Sequence, residues 1–161
     1  MPEQHTIRLR GPWEWAPLEQ FSTSRAGGAP QSAQSLPSGG KTSVPGDWSA
    51  LLGADFRGTV RYTRRFHSPT NLDLNERVWL VCEAIDALGR ATLNGKPVFE
   101  GQDPAGPWAQ DITELLRARN QLVIDVSLPA NESPDWARRS ERAGLAGGIP
   151  GEVRLEIRRE A

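Results

Sequence analysis

The chain has 161 residues, 37% of them hydrophobic and 24% charged, which is the composition of one folded domain with a single core. That length excludes a (β/α)8 barrel, which needs roughly 250 residues. Nineteen Lys and Arg against twenty Asp and Glu leave a net charge of -1, so no basic field exists to collect phosphates and no nucleic-acid partner is expected. Only Lys41 and Lys96 are lysines, and the arginines that supply the other positive charges suit surface solvation or fixed bidentate pairs. Cys82 is the sole cysteine, so no intramolecular disulfide can form. With only His5 and His67 beside it, a Cys/His zinc site is not expected, nor is any cofactor. The first ten residues carry no apolar run of the signal-peptide kind, and no run reaches the length of a membrane span. A cytoplasmic protein with no membrane partner is the expectation. The start at Met1 and the close at Ala161, just past a strand pattern, fit a self-contained domain spanning 1–161.

Taken in chain order, most segments repeat with a period of two, the signature of half-buried antiparallel strands. Ile7 and Leu9 alternate with Thr6, Arg8 and Arg10, and Trp13 and Trp15 follow Gly11-Pro12. Residues 22–40 are rich in Ser, Gly, Ala, Gln and Pro and read as a flexible loop. A helical turn fits 47–52. In 58–66, Val60, Tyr62 and Phe66 share a face, with Thr59, Arg61, Thr63 and Arg65 opposite. The run 78–85 is apolar on both faces and reads as a central, doubly covered strand that places Trp79 in the core. Ala91-Thr-Leu-Asn-Gly-Lys-Pro-Val98 predicts a hairpin with a type I′ turn at Asn94-Gly95 and puts Pro97 at a strand start or edge. Asp111-Ile-Thr-Glu114 predicts a capped short helix through Leu115 and Leu116. Leu122, Ile124, Val126 and Leu128 line one strand, and Val153, Leu155 and Ile157 another. Residues 130–150, with Trp136, Arg138, Arg139 and Arg142, read as a second long loop. About eight to nine antiparallel strands with one or two short helical turns give an all-β jelly-roll sandwich.

Several pieces, in this order, carry a family resemblance. They are Leu9-Arg-Gly-Pro-Trp13, Val44-Pro-Gly-Asp-Trp48 and Phe56-Arg-Gly-Thr-Val-Arg-Tyr-Thr-Arg-Arg-Phe66. Residues 77–83 with Ala91-Thr-Leu-Asn-Gly-Lys96 follow, then Asp111-Ile-Thr113 with 122–126, and Gly147-Gly-Ile149 leading into Val153-Arg-Leu-Glu156. The chain resembles the sugar-binding N-terminal domain of family 2 glycoside hydrolases, the β-galactosidase and β-glucuronidase group, over nearly its whole length apart from 22–40. The resemblance implies a galactose-binding-like jelly roll without the catalytic barrel, which in that group is a separate domain. It also implies that a carboxylate after the Gly-Ile turn, here Glu152, can reach a substrate pocket. Pro150-Gly151 stand between, where the family has bulky and Arg-type residues.

Six tryptophans are many for this length, and sugar sites use Trp as a flat apolar platform ringed by polar groups. Trp13, Trp15, Trp48 and Trp79 read as core. Trp108 and Trp136 stand in loop contexts and are the candidate platforms, with packing of each loop onto the sandwich as the competing reading. Arg64 falls on the apolar face between Tyr62 and Phe66, so it needs a partner such as Glu83 or Asp86, or else serves as a polar contact in a binding face. Asp103, with Glu100 and Gln102, is an oxygen-rich loop without the dense acidic pattern of a calcium site, so a solvated loop is the simpler reading. There is no G-x-S-x-G elbow, no G-x-G-x-x-G and no P-loop, and His67 reads as an exposed strand end. The expectation is a non-catalytic carbohydrate-recognition module with a saccharide ligand. The alternatives are a structural domain that docks on a glycosidase or other protein, and a truncated β-galactosidase-like chain.

Overall fold

A computed structural model describes residues 5–20, 38–53, 56, 58–85, 88–101, 108–128 and 148–159. Their strands are β1 (His5–Arg8), β2 (Trp13–Gln20), β3 (Gly40–Thr42), β4 (Gly46–Asp47), β5 (Gly58–His67) and β6 (Glu76–Cys82), with helical turn α1 (Ser49–Leu52) between β4 and β5. Then come β7 (Leu88–Leu93), β8 (Lys96–Gly101), β9 (Trp108–Asp111), β10 (Arg119–Leu128), β11 (Gly148–Ile149) and β12 (Val153–Arg159). A four-stranded sheet runs β1-β12-β6-β9, a six-stranded sheet runs β3-β2-β5-β10-β7-β8, and β11 pairs with β4. Every pairing is antiparallel. This is the all-β sandwich that the alternation predicts, of the galactose-binding-like kind that the resemblance implies. The pattern misses β3, β4, β9 and β11, because strands of two to four residues are too short to show a period.

Both large sheets turn their apolar positions into one core. Val60, Tyr62, Leu122, Ile124 and Val126 face Val78, Leu80, Cys82, Val153 and Leu155, and all are buried. Burial pushes the Cys82 thiol up to about 12, so it packs as a small apolar side chain. Trp13 is fully buried and its Nε1 donates to Leu9 O at 2.6 Å, which satisfies the indole without water. Trp48 lies edge-on to Phe56, ring centroids 5.5 Å apart.

The outer face of the six-stranded sheet is zipped by cross-strand pairs that fix its register. Thr59 Oγ1 lies 2.8 Å from Ser127 Oγ. Arg61 donates to both Asp125 oxygens at 2.8 and 3.0 Å, and Arg65 donates to Glu14 at 2.9 Å. The β7–β8 turn has Asn94 at φ 52 and Gly95 at φ 84 with Leu93 opposite Lys96, the two-residue I′ geometry. Pro97 sits near the start of β8, an edge strand, where its missing N–H costs no ladder bond. At Gly148, φ is 148, and a Cβ would lie 2.7 Å from Asp47 Cα, so only glycine lets β11 approach β4.

Two Asp-apolar-hydroxyl turns repeat one device. Asp47 Oδ1 accepts from Ser49 N and Oγ at 2.9 and 2.6 Å, and Asp111 Oδ1 accepts from Thr113 N and Oγ1 at 3.0 and 2.7 Å. Each holds a fully buried residue between its polar ends, Trp48 and Ile112, and each opens a helical turn. The second is a single 3-10 turn, Thr113–Leu115, rather than the predicted capped helix. Glu114 turns away to Arg77 at 3.3 Å instead of closing a capping box.

Three further expectations are corrected. Strand β6 ends at Cys82, and buried Ile85 lies beyond it against Gly89. Trp79 is not core. It stands half-buried on the outer face of β6, with Arg158 Cζ 4.5 Å above its ring, because period-two geometry sends 79 to the face opposite Leu80. The predicted loop 22–40 falls outside the described residues up to 37, and Gly40 opens β3.

Candidate functional site

The expected site residues fall at opposite ends of the sandwich. Val153 opposes Cys82 and Cys82 opposes Trp108, so Glu152 and Trp108 belong to the end where β6 finishes. Arg64 lies toward the other end, where β5 finishes and β10 begins, opposite Leu122. Trp136 and Asp103 lie outside the described residues.

Glu152 is engaged by two arginines. Arg8 Nε donates to one oxygen at 2.9 Å, and Arg154 Nη1 lies 3.5 Å from the other. Arg154 also binds Glu83, and its Nε donates to Glu156 at 2.7 Å, while Glu156 takes Arg158 at 2.7 Å. These groups form a ladder across the outer face of the four-stranded sheet. Partial burial raises the Glu156 carboxyl, but Arg158 and Arg154 outweigh it and hold the group below the usual carboxylate range. Asp111 behaves the same way: burial pushes it up, while Arg77 at 2.8 Å and the Thr113 bonds bring it down.

Trp108 is in strand β9, not a loop. Its half-buried ring meets Phe99 of β8 edge-on, centroids 4.5 Å apart, and so joins the edges of the two sheets. Arg64 does not pair with Glu83, which is taken by Arg154 near the other end, and Asp86 lies outside the described residues. The Arg64 guanidinium instead donates to the Arg65 carbonyl, and its Nε is buried without a hydrogen bond among the described residues.

Across the sandwich from the Phe99–Trp108 contact, the edge strand β1 leaves the interior open. Ile7 has the core-facing parity of β1, opposite Leu155, yet is 40% exposed. It walls a cleft of about 630 Å³ with Ile157, Leu72 and Pro69. The polar rim is His5, Thr70, Asn71, Glu76 and Arg159. Arg159 Nη2 is 3.3 Å from Asp73 Oδ2, and Glu76 Oε1 accepts from Asp73 N at 2.9 Å, which closes the loop between β5 and β6. The side chains of His5, Thr70 and Asn71 make no hydrogen bond among the described residues, so their donors and acceptors are available to a ligand. Asn71, at φ 60, takes the left-handed conformation that Asn tolerates best after Gly.

The floor of this end is fixed by a saturated amide pair. Asn120, 2% exposed, donates to Ser68 Oγ and Arg117 O at 2.9 Å each and accepts from Arg117 N at 2.8 Å and Asn94 Nδ2 at 3.0 Å. Asn94 also donates to Leu115 O at 3.0 Å and accepts from Gln121 N at 2.9 Å. Of the residues expected from the sequence only Arg64 lies toward this end, and the cleft itself was missed. The signals were the Pro69-Thr70-Asn71 loop and an isoleucine of core parity in the first strand.

An all-β sandwich with a side cleft defines the class as a galactose-binding-like domain. A family model, the galactose-binding domain-like domain of glycosyl hydrolase 2, matches residues 56–160, and the chain belongs to that family. Among solved structures it is similar to an FMN-binding β-glucuronidase from Faecalibacterium prausnitzii L2-6, with 21% identity, a TM-score of 0.71, and coverage of 95% of this chain and 22% of that one. It is similar to a Bifidobacterium dentium β-glucuronidase complexed with coumarin-3-O-glucuronide, with 21% identity, a TM-score of 0.66, and coverage of 96% and 30%. A β-glucuronidase from Dictyoglomus thermophilum gives 15% identity, a TM-score of 0.69, and coverage of 98% and 28%. At these identities the likeness is one of fold, and the chain spans less than a third of the length of each. Comparison with curated proteins gives no match. No helix among the described residues is long and apolar enough to cross a membrane.

Proposed function

We propose that this chain is a non-catalytic carbohydrate-recognition module that holds a saccharide in the cleft beside β1. The observation that carries the reading is the amphipathic cleft itself. Its volume falls within the range of roughly 300–1,000 Å³ typical of small-ligand sites, with an apolar wall for the C–H face of a sugar ring and, on the rim, side chains of His5, Thr70 and Asn71 that are unbonded among the described residues. The family supports the ligand class.

The test is calorimetric titration with galactose, glucuronate, mannose, xylose and short oligosaccharides. Millimolar dissociation constants, about 4 kcal/mol of binding, are expected for one or more of them. Ile7→Lys and Asn71→Gly each weaken that binding about tenfold, and glycine keeps the backbone conformation at 71. Trp108→Ala leaves the affinity unchanged. Absence of heat with every sugar up to tens of millimolar overturns the reading. A protein-docking domain would then lead, favoured by Leu74, which is fully exposed two residues from Glu76.

A further inference from the structure

A second cleft, of about 480 Å³, opens where β5 ends and β10 begins, lined by Arg65, Phe66, His67, Asn94, Arg119, Asn120 and Gln121. His67 faces Arg119 across the strand pair, and Arg65 faces Gln121. Ser68 separates this cleft from the one beside β1, with His67 on one side and Pro69 on the other. Most arginines of the strands are matched to carboxylates: Arg8, Arg61, Arg77, Arg154, Arg158 and Arg159 all form ion pairs. In this cleft the match is incomplete. Arg119 has no carboxylate partner among the described residues, and Glu14 takes only Nη1 of Arg65. No carboxylate stands among the described lining residues. Arg117, two residues from Arg119, adds a further charge with no carboxylate partner among the described residues, and Glu114, the nearest acid in sequence, is drawn off to Arg77. The two amides beneath are saturated by each other and by backbone, so the floor does not need to reorganise to receive a ligand.

We infer that this second cleft binds the anionic group of an acidic saccharide, a uronate carboxylate or a sulfate ester, with Arg119 and Arg65 donating to its oxygens and His67 and Gln121 flanking it. Guanidinium groups suit this role because their donors match the geometry of carboxylate and sulfate oxygens. The inference rests on the carbohydrate reading and adds a preference for acidic sugars.

The experiment is titration of the whole chain in low salt with galactose, galacturonate, galactose 6-sulfate and acetate, comparing wild type with Arg119→Gln and His67→Gln. Thermal melts check that each variant is folded, and both sites are solvent-exposed. The expected result is that galacturonate or galactose 6-sulfate binds at least tenfold more tightly than galactose. That margin shrinks in 0.5 M salt and collapses to near one in Arg119→Gln, with a smaller reduction in His67→Gln. Equal binding of galactose and both acidic sugars overturns the second cleft while leaving the carbohydrate reading intact. Acetate binding as tightly as galacturonate reduces it to a simple anion site and also overturns it. No binding of any sugar overturns both readings together.

Discussion

The two edge strands of the four-stranded sheet end in opposite ways. At β9, Trp108 meets Phe99 of the other sheet and the side of the sandwich is closed. At β1, Ile7 has the same inward parity but no described residue seals it, and a cleft takes the place of the contact. The polar groups differ in the same sense. Around Glu152 the charges are consumed in a ladder of Arg8, Arg154, Glu83, Glu156 and Arg158. Around Ser68 the buried amides are saturated, but His5, Thr70, Asn71 and Arg119 keep donors and acceptors that are unused among the described residues. A group already committed to intramolecular partners must be freed before it can bind, which is why the proposed ligand site is put at the end with spare capacity.

Breaking the open end at its anchor has the largest expected effect. Asn120→Ala removes a 2% exposed amide and leaves the Ser68, Arg117 and Asn94 groups without their partner. The expected loss is about 3 kcal/mol, or roughly 6–10 °C in Tm, with loss of saccharide binding. Calorimetric melts and titration check both. Arg154→Met breaks the closed end. It takes Arg154 away from Glu83 and leaves Glu156 to Arg158 alone, and costs about 1 kcal/mol at neutral pH, with no change in saccharide affinity.

The pH dependence sharpens the same contrast. The folded Glu156 and Asp111 carboxyls titrate below their ordinary values of 4.5 and 3.8. Groups with depressed folded values stabilise fully above the unfolded value and lose that contribution as pH falls through the folded one. Stability therefore falls from about pH 4 downward, and Arg154→Met and Arg77→Met flatten the fall in acid melting curves. The smallest effect is at Trp79→Leu, which removes the ring beneath Arg158 and costs about 0.5–1 kcal/mol, measured by urea unfolding.

The long strands and the hairpin were legible because alternation over six or more residues and an Asn-Gly turn each dictate one geometry. Trp79 was misplaced because a run that is apolar on both faces hides which face is inward. Arg77, Asp111, Glu156 and Arg158, which share its outer face, were the clue. Leu18 is exposed because β2 bulges between Pro17 and Glu19, and no residue type announces such a bulge. The site was hardest to see. Its residues come from β1, the 68–75 loop, β6 and β12, and only the antiparallel pairing of first and last strands brings His5 and Ile7 beside Ile157. The tryptophans pointed to ligand chemistry, but Trp108 is spent on closing the sandwich.

The most direct test of the account is to map amide chemical shifts of the whole chain during titration with galactose and galacturonate. Shifts that grow saturably are expected at His5, Ile7, Asn71, Leu72 and Glu76, with those at His67 and Arg119 larger for galacturonate, and none at Glu152 or Trp108. Shifts centred on Glu152 and Trp108, or no saturable shift with either sugar, would contradict it.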